Sequence, residues 1–103
     1  MLDSRLRIRR FNPSAERKMN LVAADVGRPI ADINTKLPVE NLEQMIQKVI
    51  DTLDVREVEI KHRDGRMQSL RIRPYVTSDK KIEGAVLTLI DLEEFLRAKR
   101  ASG

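Results

Sequence analysis

Residues 55–76 read VREVEIKHRDGRMQSLRIRPYV, and the turn at Asp64-Gly65 decides what they build. Val58 and Ile60 precede it; Leu70 and Ile72 follow it. In both runs apolar residues alternate with charged or polar ones, the period of a strand with one buried face. All four apolar positions are even. A two-residue Asp-Gly loop would pair Arg63 with Arg66 and set Val58 opposite Arg71, splitting the apolar face. A three-residue loop, Arg63-Asp64-Gly65, sets Val58 opposite Leu70 and keeps the face whole. The sequence therefore predicts an odd-length loop with Gly65 left-handed, forming a bulge, in place of the tight turn that Asp-Gly usually signals.

Working outward, Leu42, Met45, Ile46, Val49, Ile50 and Leu53 recur at helical spacing. They form one apolar stripe, with Glu43, Gln47, Lys48 and Asp51 on the opposite side. After the hairpin, Ser78-Asp79-Lys80-Lys81 reads as a second turn. Ala85 to Ile90 is apolar on both faces, as a central strand should be. Residues 84–100, GAVLTLIDLEEFLRAKR, run from that strand straight into a helix. Asp91 stands at its N-cap, and Glu94 completes a capping-box pattern; losing such a cap costs roughly 0.5–2 kcal/mol. Leu92, Phe95 and Leu96 repeat along this helix with Lys99 next in register. That pattern suits a coiled-coil seam or a helix packing back on its own sheet.

At the other end, Leu6, Ile8 and Arg10 alternate with Arg5, Arg7 and Arg9, which predicts a strand with a basic, solvated face ending at Phe11. Asn12-Pro13 reads as N-cap and first position of a short helix through Ala15, Met19 and Leu21. Gly27 and Pro29 break residues 25–34 (DVGRPIADIN) into short turns, with Val26, Ile30 and Ile33 expected to face inward. Strand, short helices, long helix, then three strands is an α+β order, with helices on one side of an antiparallel sheet.

Composition narrows the function classes. A chain of 103 residues makes one domain and buries roughly 60–70% of its unfolded surface. There is no cysteine, which excludes disulfides, thiolate catalysis and cysteine metal sites and is compatible with a reducing cytoplasm. No segment approaches the ~20 apolar residues of a membrane span, and residues 1–11 (MLDSRLRIRRF) lack a signal-peptide core. Twenty basic against 16 acidic residues leave a net charge of +4, spread along the chain with one local concentration at Arg5, Arg7, Arg9 and Arg10. Phe11, Tyr75 and Phe95 are too few aromatics for a reader of single-stranded nucleic acid, and few for a flavin or haem pocket.

Each candidate site has a plainer explanation. His62, the sole histidine, has no second histidine or cysteine to share a metal with and reads as a semi-exposed structural residue. The run RLRIRR, residues 5–10, would suit phosphates. Its alternation follows strand geometry, however, and favours a solvated face whose arginine stems cover apolar surface. Ser4, Ser14, Ser69 and Ser78 have no base partner, and Asp64, Asp79, Glu83 and Asp91 are taken by turns and caps. DVGRP carries a single glycine and is not a phosphate loop. No catalytic, cofactor-binding or metal residue is assigned, and no enzymatic activity or cofactor is expected of this segment.

Four strings in order, LDSRLRIRRFNPSAERKMNL, DVGRPIADI, HRDGRMQSLRIRPY and GAVLTLIDLEE, make the chain resemble a PAS sensory domain over nearly its whole length. RIRRFNPSA, DVGRPIADI and LRIRPY resemble in particular the PAS modules of chemotaxis-type protein-glutamate methylesterase/methyltransferase fusions and hybrid histidine kinases. The resemblance implies a five-stranded antiparallel sheet, helices on one face and a C-terminal output helix. It also implies a cleft between long helix and sheet, lined by Met45, Ile46, Val49, Val58, Ile60, Leu70 and Ile72. These residues would equally serve a plain core, so they are not assigned as a ligand site.

By the same resemblance, residues 1–92 are a cytoplasmic sensory domain of a bacterial two-component or chemotaxis protein, and 93–103 begin its signalling helix. Its partners would be a second copy, neighbouring signalling domains and an unknown small molecule, with no membrane. Glu93 departs from the family's Thr or Ser. The cysteine motif of the light-sensing branch is absent, and Val39 to Leu53 offers no axial histidine for haem. The short first strand leaves an edge that another copy would cover. The alternative from another class is a small basic nucleic-acid-binding domain using Arg5, Arg7, Arg9 and Arg10.

Overall fold

The computed structural model describes residues 1–92 except Asn34, Lys36 and Asp64. Its elements are β1 (Leu2–Asp3), α1 (Pro13–Lys18), single 3-10 turns at Ala23–Asp25 and Ile30–Asp32, α2 (Leu42–Thr52), β2 (Arg56–Lys61), β3 (Met67–Val76) and β4 (Ile82–Asp91). The strands form one antiparallel sheet in the order β1-β4-β3-β2.

The hairpin has the odd-length loop. Val58 pairs with Leu70, the His62 N–H donates to the Arg66 carbonyl at 2.9 Å, and the Gly65 N–H donates to the His62 carbonyl at 3.0 Å. Gly65 is left-handed at φ +90°. The same pair of hydrogen bonds closes two other loops. Asp3 N–H donates to Arg7 O at 2.9 Å and Leu6 N–H to Asp3 O at 3.0 Å; Thr77 N–H donates to Lys81 O and Lys80 N–H to Thr77 O, both at 2.9 Å. The third loop residue is again left-handed, Leu6 at φ 59° and Lys80 at φ 61°. Neither is glycine, so each carries a Cβ penalty of roughly 1–2 kcal/mol.

The first of these loops overturns the expected strand through Arg5–Arg10. The Asp3 carboxylate accepts from the Arg5 N–H at 2.9 Å, the Arg7 N–H at 3.0 Å and the Arg7 Nε at 3.0 Å. That staple reverses the chain at Ser4–Leu6. Ile8 then bridges Leu2, on the side of β1 away from β4. It accepts from the Gly27 N–H at 2.6 Å and donates to the Arg28 carbonyl at 2.9 Å. The fifth sheet position is thus held by isolated bridges, and among the described residues the sheet has four strands instead of five.

One face of the sheet makes the core. Ile60, Leu70, Ile72 and Ala85 pack with Met45, Ile46, Val49 and Ile50 of α2, all 8% exposed or less. Burying each large aliphatic side chain contributes roughly 1.5–3 kcal/mol. The apolar stripe of α2 stops one residue short of expectation. Leu53 is the left-handed C-cap, φ 63°, and stays half exposed. Val26 is exposed as well, because the chain turns there to bring the Gly27 N–H to Ile8; Ile30 is buried and Ile33 packs against the core, as expected.

Asn12 caps α1 through Oδ1, which accepts from the Ala15 N–H at 2.8 Å. The helix ends at Lys18, and Asn20 (φ 56°) bends the chain, so Met19 and Leu21 are buried beyond the helix. β4 lies between β1 and β3 as a central strand, yet Ile90 on its outer face is exposed. β4 ends at Asp91 and Leu92 is already helical; Glu93, Glu94, Phe95, Leu96 and Lys99 lie outside the described residues.

Three outcomes follow from this geometry. A Cβ on Gly84 would run into the Leu2 carbonyl oxygen and lie 2.8 Å from the Asp3 Cα. Gly84→Ala is therefore expected to cost ~1–3 kcal/mol and to detach β1, read as faster amide exchange at Leu2 and Asp3. Lys80→Gly should stabilise by about 0.5–1 kcal/mol, the left-handed penalty less the entropy of glycine, read as a higher denaturant midpoint. Burial alone pushes the Asp3 carboxyl up, but the Arg7 and Arg5 N–H groups and the Arg7 guanidinium outweigh it and hold the carboxyl below its ordinary value. A folded value below the unfolded one contributes stability above the unfolded value and loses it as pH falls through the folded one. Between pH 6 and about pH 3, below the ordinary aspartate value of roughly 3.9, the parent chain should lose more stability than Asp3→Asn, measured by denaturant melts.

Candidate functional site

The arginine run does not assemble a single face. The left-handed turn at Leu6 separates Arg5 from Arg7, and Arg7 is tied to Asp3 at 3.0 Å. Arg5, Arg9 and Arg10 are exposed. His62 is half-buried near the hairpin tip, as its place in the sequence implied, with Nε2 2.6 Å from Gln68 Oε1. Gln68 is itself 4% exposed, so the imidazole satisfies a buried amide. Among the described residues no three metal-ligand side chains converge.

The cleft expected between long helix and sheet is closed. Met45, Ile46 and Val49 fill it from one side and Ile60, Leu70 and Ile72 from the other, all buried, with Val58 packed against them. Those residues are core.

The room lies nearer the N-terminus. A cavity of about 270 Å³ sits between α1, the segment from Leu2 to Phe11, and Val86–Leu89 of β4. It exists because α1 stands off the sheet. The helix has six residues and buries none of them, and it presents the small Ser14 and Ala15 to the cavity. Leu2, Ile8, Met19, Leu21 and Ile30, each 5% exposed or less, form its apolar lining together with Phe11, Leu87 and Leu89. Lys18 spans the gap: its Nζ donates to the Leu89 carbonyl at 3.3 Å. The described pairing of β1 with β4 covers Gly84 and Ala85, so this carbonyl lies beyond it along the strand. Met1, Arg10, Asn12 and Thr88 complete the lining; Arg10, Asn12 and Thr88 are exposed to solvent. A second recess of about 290 Å³, between Ile30 and Gln44, has Glu40 and Glu43 in its lining.

Sequence reasoning passed over this site. Its apolar residues look like core, and its two cations, Arg10 and Lys18, belong to different elements. The available signal was the short Asn-capped helix with small residues at Ser14 and Ala15, too short and too slender to seal a sheet.

The arrangement suits non-covalent binding: an apolar chamber whose lining includes the Arg10 and Lys18 side chains and the Met1 ammonium. Among the described residues no helix is long and apolar enough to cross a membrane.

Known proteins share both the sequence and the fold. An uncharacterised 104.1 kDa protein from the hypE 3′ region of Rhodobacter capsulatus is 29% identical over 93 residues, 90% of this chain and 10% of that protein. The chain thus spans about a tenth of the curated relative it matches. The PAS domain of histidine kinase ThkA has a similar structure, with a TM-score of 0.73 and 21% identity over 87% of this chain and 93% of that one. VqmA of Vibrio cholera, solved as a complex with ligand and DNA, gives a TM-score of 0.65 and 20% identity, covering 99% of this chain and 51% of that one. A family model described as a PAS domain matches residues 1–93, and the chain belongs to the PAS domain family.

Proposed function

We propose that this chain is the sensory module of a bacterial signal-transduction protein of the two-component or chemotaxis kind. It works in the cytoplasm without catalysis of its own. The observation that carries the reading is the position of the cavity against β4, the strand that leads directly to the exit at Asp91-Leu92. A molecule lodged between α1 and Val86–Leu89 bears on the strand that feeds the closing helix. By differential affinity for two arrangements of α1 against β4 it shifts their populations. The closing helix then relays the shift to a neighbouring domain, with Asp91 fixing where it starts, and a second copy is a further partner. Membership in the PAS family supports this reading, as do neighbours taken from a histidine kinase and from a protein solved with a ligand.

Ala15 lines the cavity and Asp91 stands at the exit. In the parent signalling protein, Ala15→Phe, which fills the chamber, and Asp91→Ala, which removes the cap, are each expected to change output activity severalfold. Circular dichroism and melting temperature of the isolated chain should move little, the cap accounting for roughly 0.5–2 kcal/mol. Unchanged output in both variants, or loss of fold in step with loss of output, would falsify the reading.

A further inference from the structure

We infer that the α1–β4 cavity takes a small organic anion: a carboxylate on an apolar body about the size of one ring. The inference rests on the reading of that cavity as the sensory pocket and adds the chemistry of its ligand. Size sets the first limit. A cavity of about 150 Å³ accommodates benzene; this one, at about 270 Å³, has room for a ring and a short polar arm. The apolar body has a matching wall in Leu2, Ile8, Met19, Leu21 and Leu87.

Charge sets the second limit. The ionisable side chains among the described lining residues are Arg10 and Lys18, with no carboxylate beside them. The Lys18 ammonium has three donors, and the Leu89 carbonyl at 3.3 Å takes one of them. The other N–H groups suit an anionic oxygen at the chamber wall, where Lys18 is half-buried and so less screened than a fully solvated charge. A cationic guest would meet like charges, the Met1 ammonium among them. The second recess, with Glu40 and Glu43 in its lining, has the opposite sign, so the positive lining belongs to this cavity and not to the whole surface.

Phenylacetate, phenylacetamide and phenethylamine share one shape and differ in head group. Titrated calorimetrically into the 103-residue chain, phenylacetate should bind at least about tenfold tighter than the amide, a difference of about 1.4 kcal/mol, and the amine should not bind. Lys18→Gln, which keeps a donor for Leu89, should bring the acid down to the amide's affinity and leave the amide unchanged. Arg10→Gln should act in the same direction, and added salt should weaken the acid alone. Equal affinities for acid and amide would overturn the inference, and so would acid binding indifferent to both substitutions. Should none of the three probes bind while Ala15→Phe still alters output, the anion is wrong and the sensory pocket stands. Should the acid bind as described while Ala15→Phe leaves output untouched, the ligand chemistry holds and the sensory role falls.

Discussion

The packing of α2 against one face of the sheet is the constraint on which the rest of this fold depends. Ile46, Leu70 and Ile72 are sealed from solvent and Val49 nearly so. A contact this dry leaves no play between helix and strands. It fixes the register of β2, β3 and β4 as a unit, because a slip by one residue would turn Leu70 and Ile72 out to water. The same tightness closes the cleft that the fold would otherwise offer. A helix of 11 residues covers the part of the sheet centred on β3. What remains of β4, towards β1, falls to a helix of six residues that buries none of them. The cavity is the consequence of that unequal cover, and its location follows from the lengths of the two helices.

The parts of this fold that were legible in the sequence are those where a side-chain period has one geometric solution. The even positions Val58, Ile60, Leu70 and Ile72 admitted a single loop length, and they fixed Gly65 in the left-handed slot. The stripe from Leu42 to Ile50 admitted one helix face. Asn12-Pro13 marked its helix start because a side-chain acceptor and a missing N–H both suit that point.

The errors share a cause. Leu6 and Lys80 occupy the same left-handed slot as Gly65, in loops closed by the same hydrogen bonds, but neither residue type advertises it. At Leu6 the three hydrogen bonds to the Asp3 carboxylate hold the turn against the Cβ penalty. That acceptor, upstream of the arginines, overrode a pattern that otherwise read as a strand. Leu53 ends its helix left-handed for want of a glycine, so the last member of a regular stripe leaves the core. The cavity was hidden for a different reason. A void is made by atoms that are missing, at Ser14 and Ala15, and hydrophobic periodicity records only those that are present.

The geometry of β4 gives the cavity its importance. Along one edge the strand is paired with β3 from Ile82 to Asp91. On the other, described pairing with β1 stops at Gly84 and Ala85. Val86–Leu89 therefore have a fixed neighbour on one side and the chamber on the other, with Lys18 reaching across to the Leu89 carbonyl. An ammonium held by one carbonyl at 3.3 Å is weakly committed compared with one in a charged pair, whose hydrogen bonds run nearer 2.7–2.9 Å. On the proposed reading, an anion in the chamber would use the N–H groups of Lys18 that Leu89 leaves over. On the same reading, a shift of Lys18 toward that anion would weaken its hold on Leu89, two residues before Asp91. Recognition of the guest and release of the strand would then be one rearrangement of hydrogen bonds, small in energy, close to the end of β4.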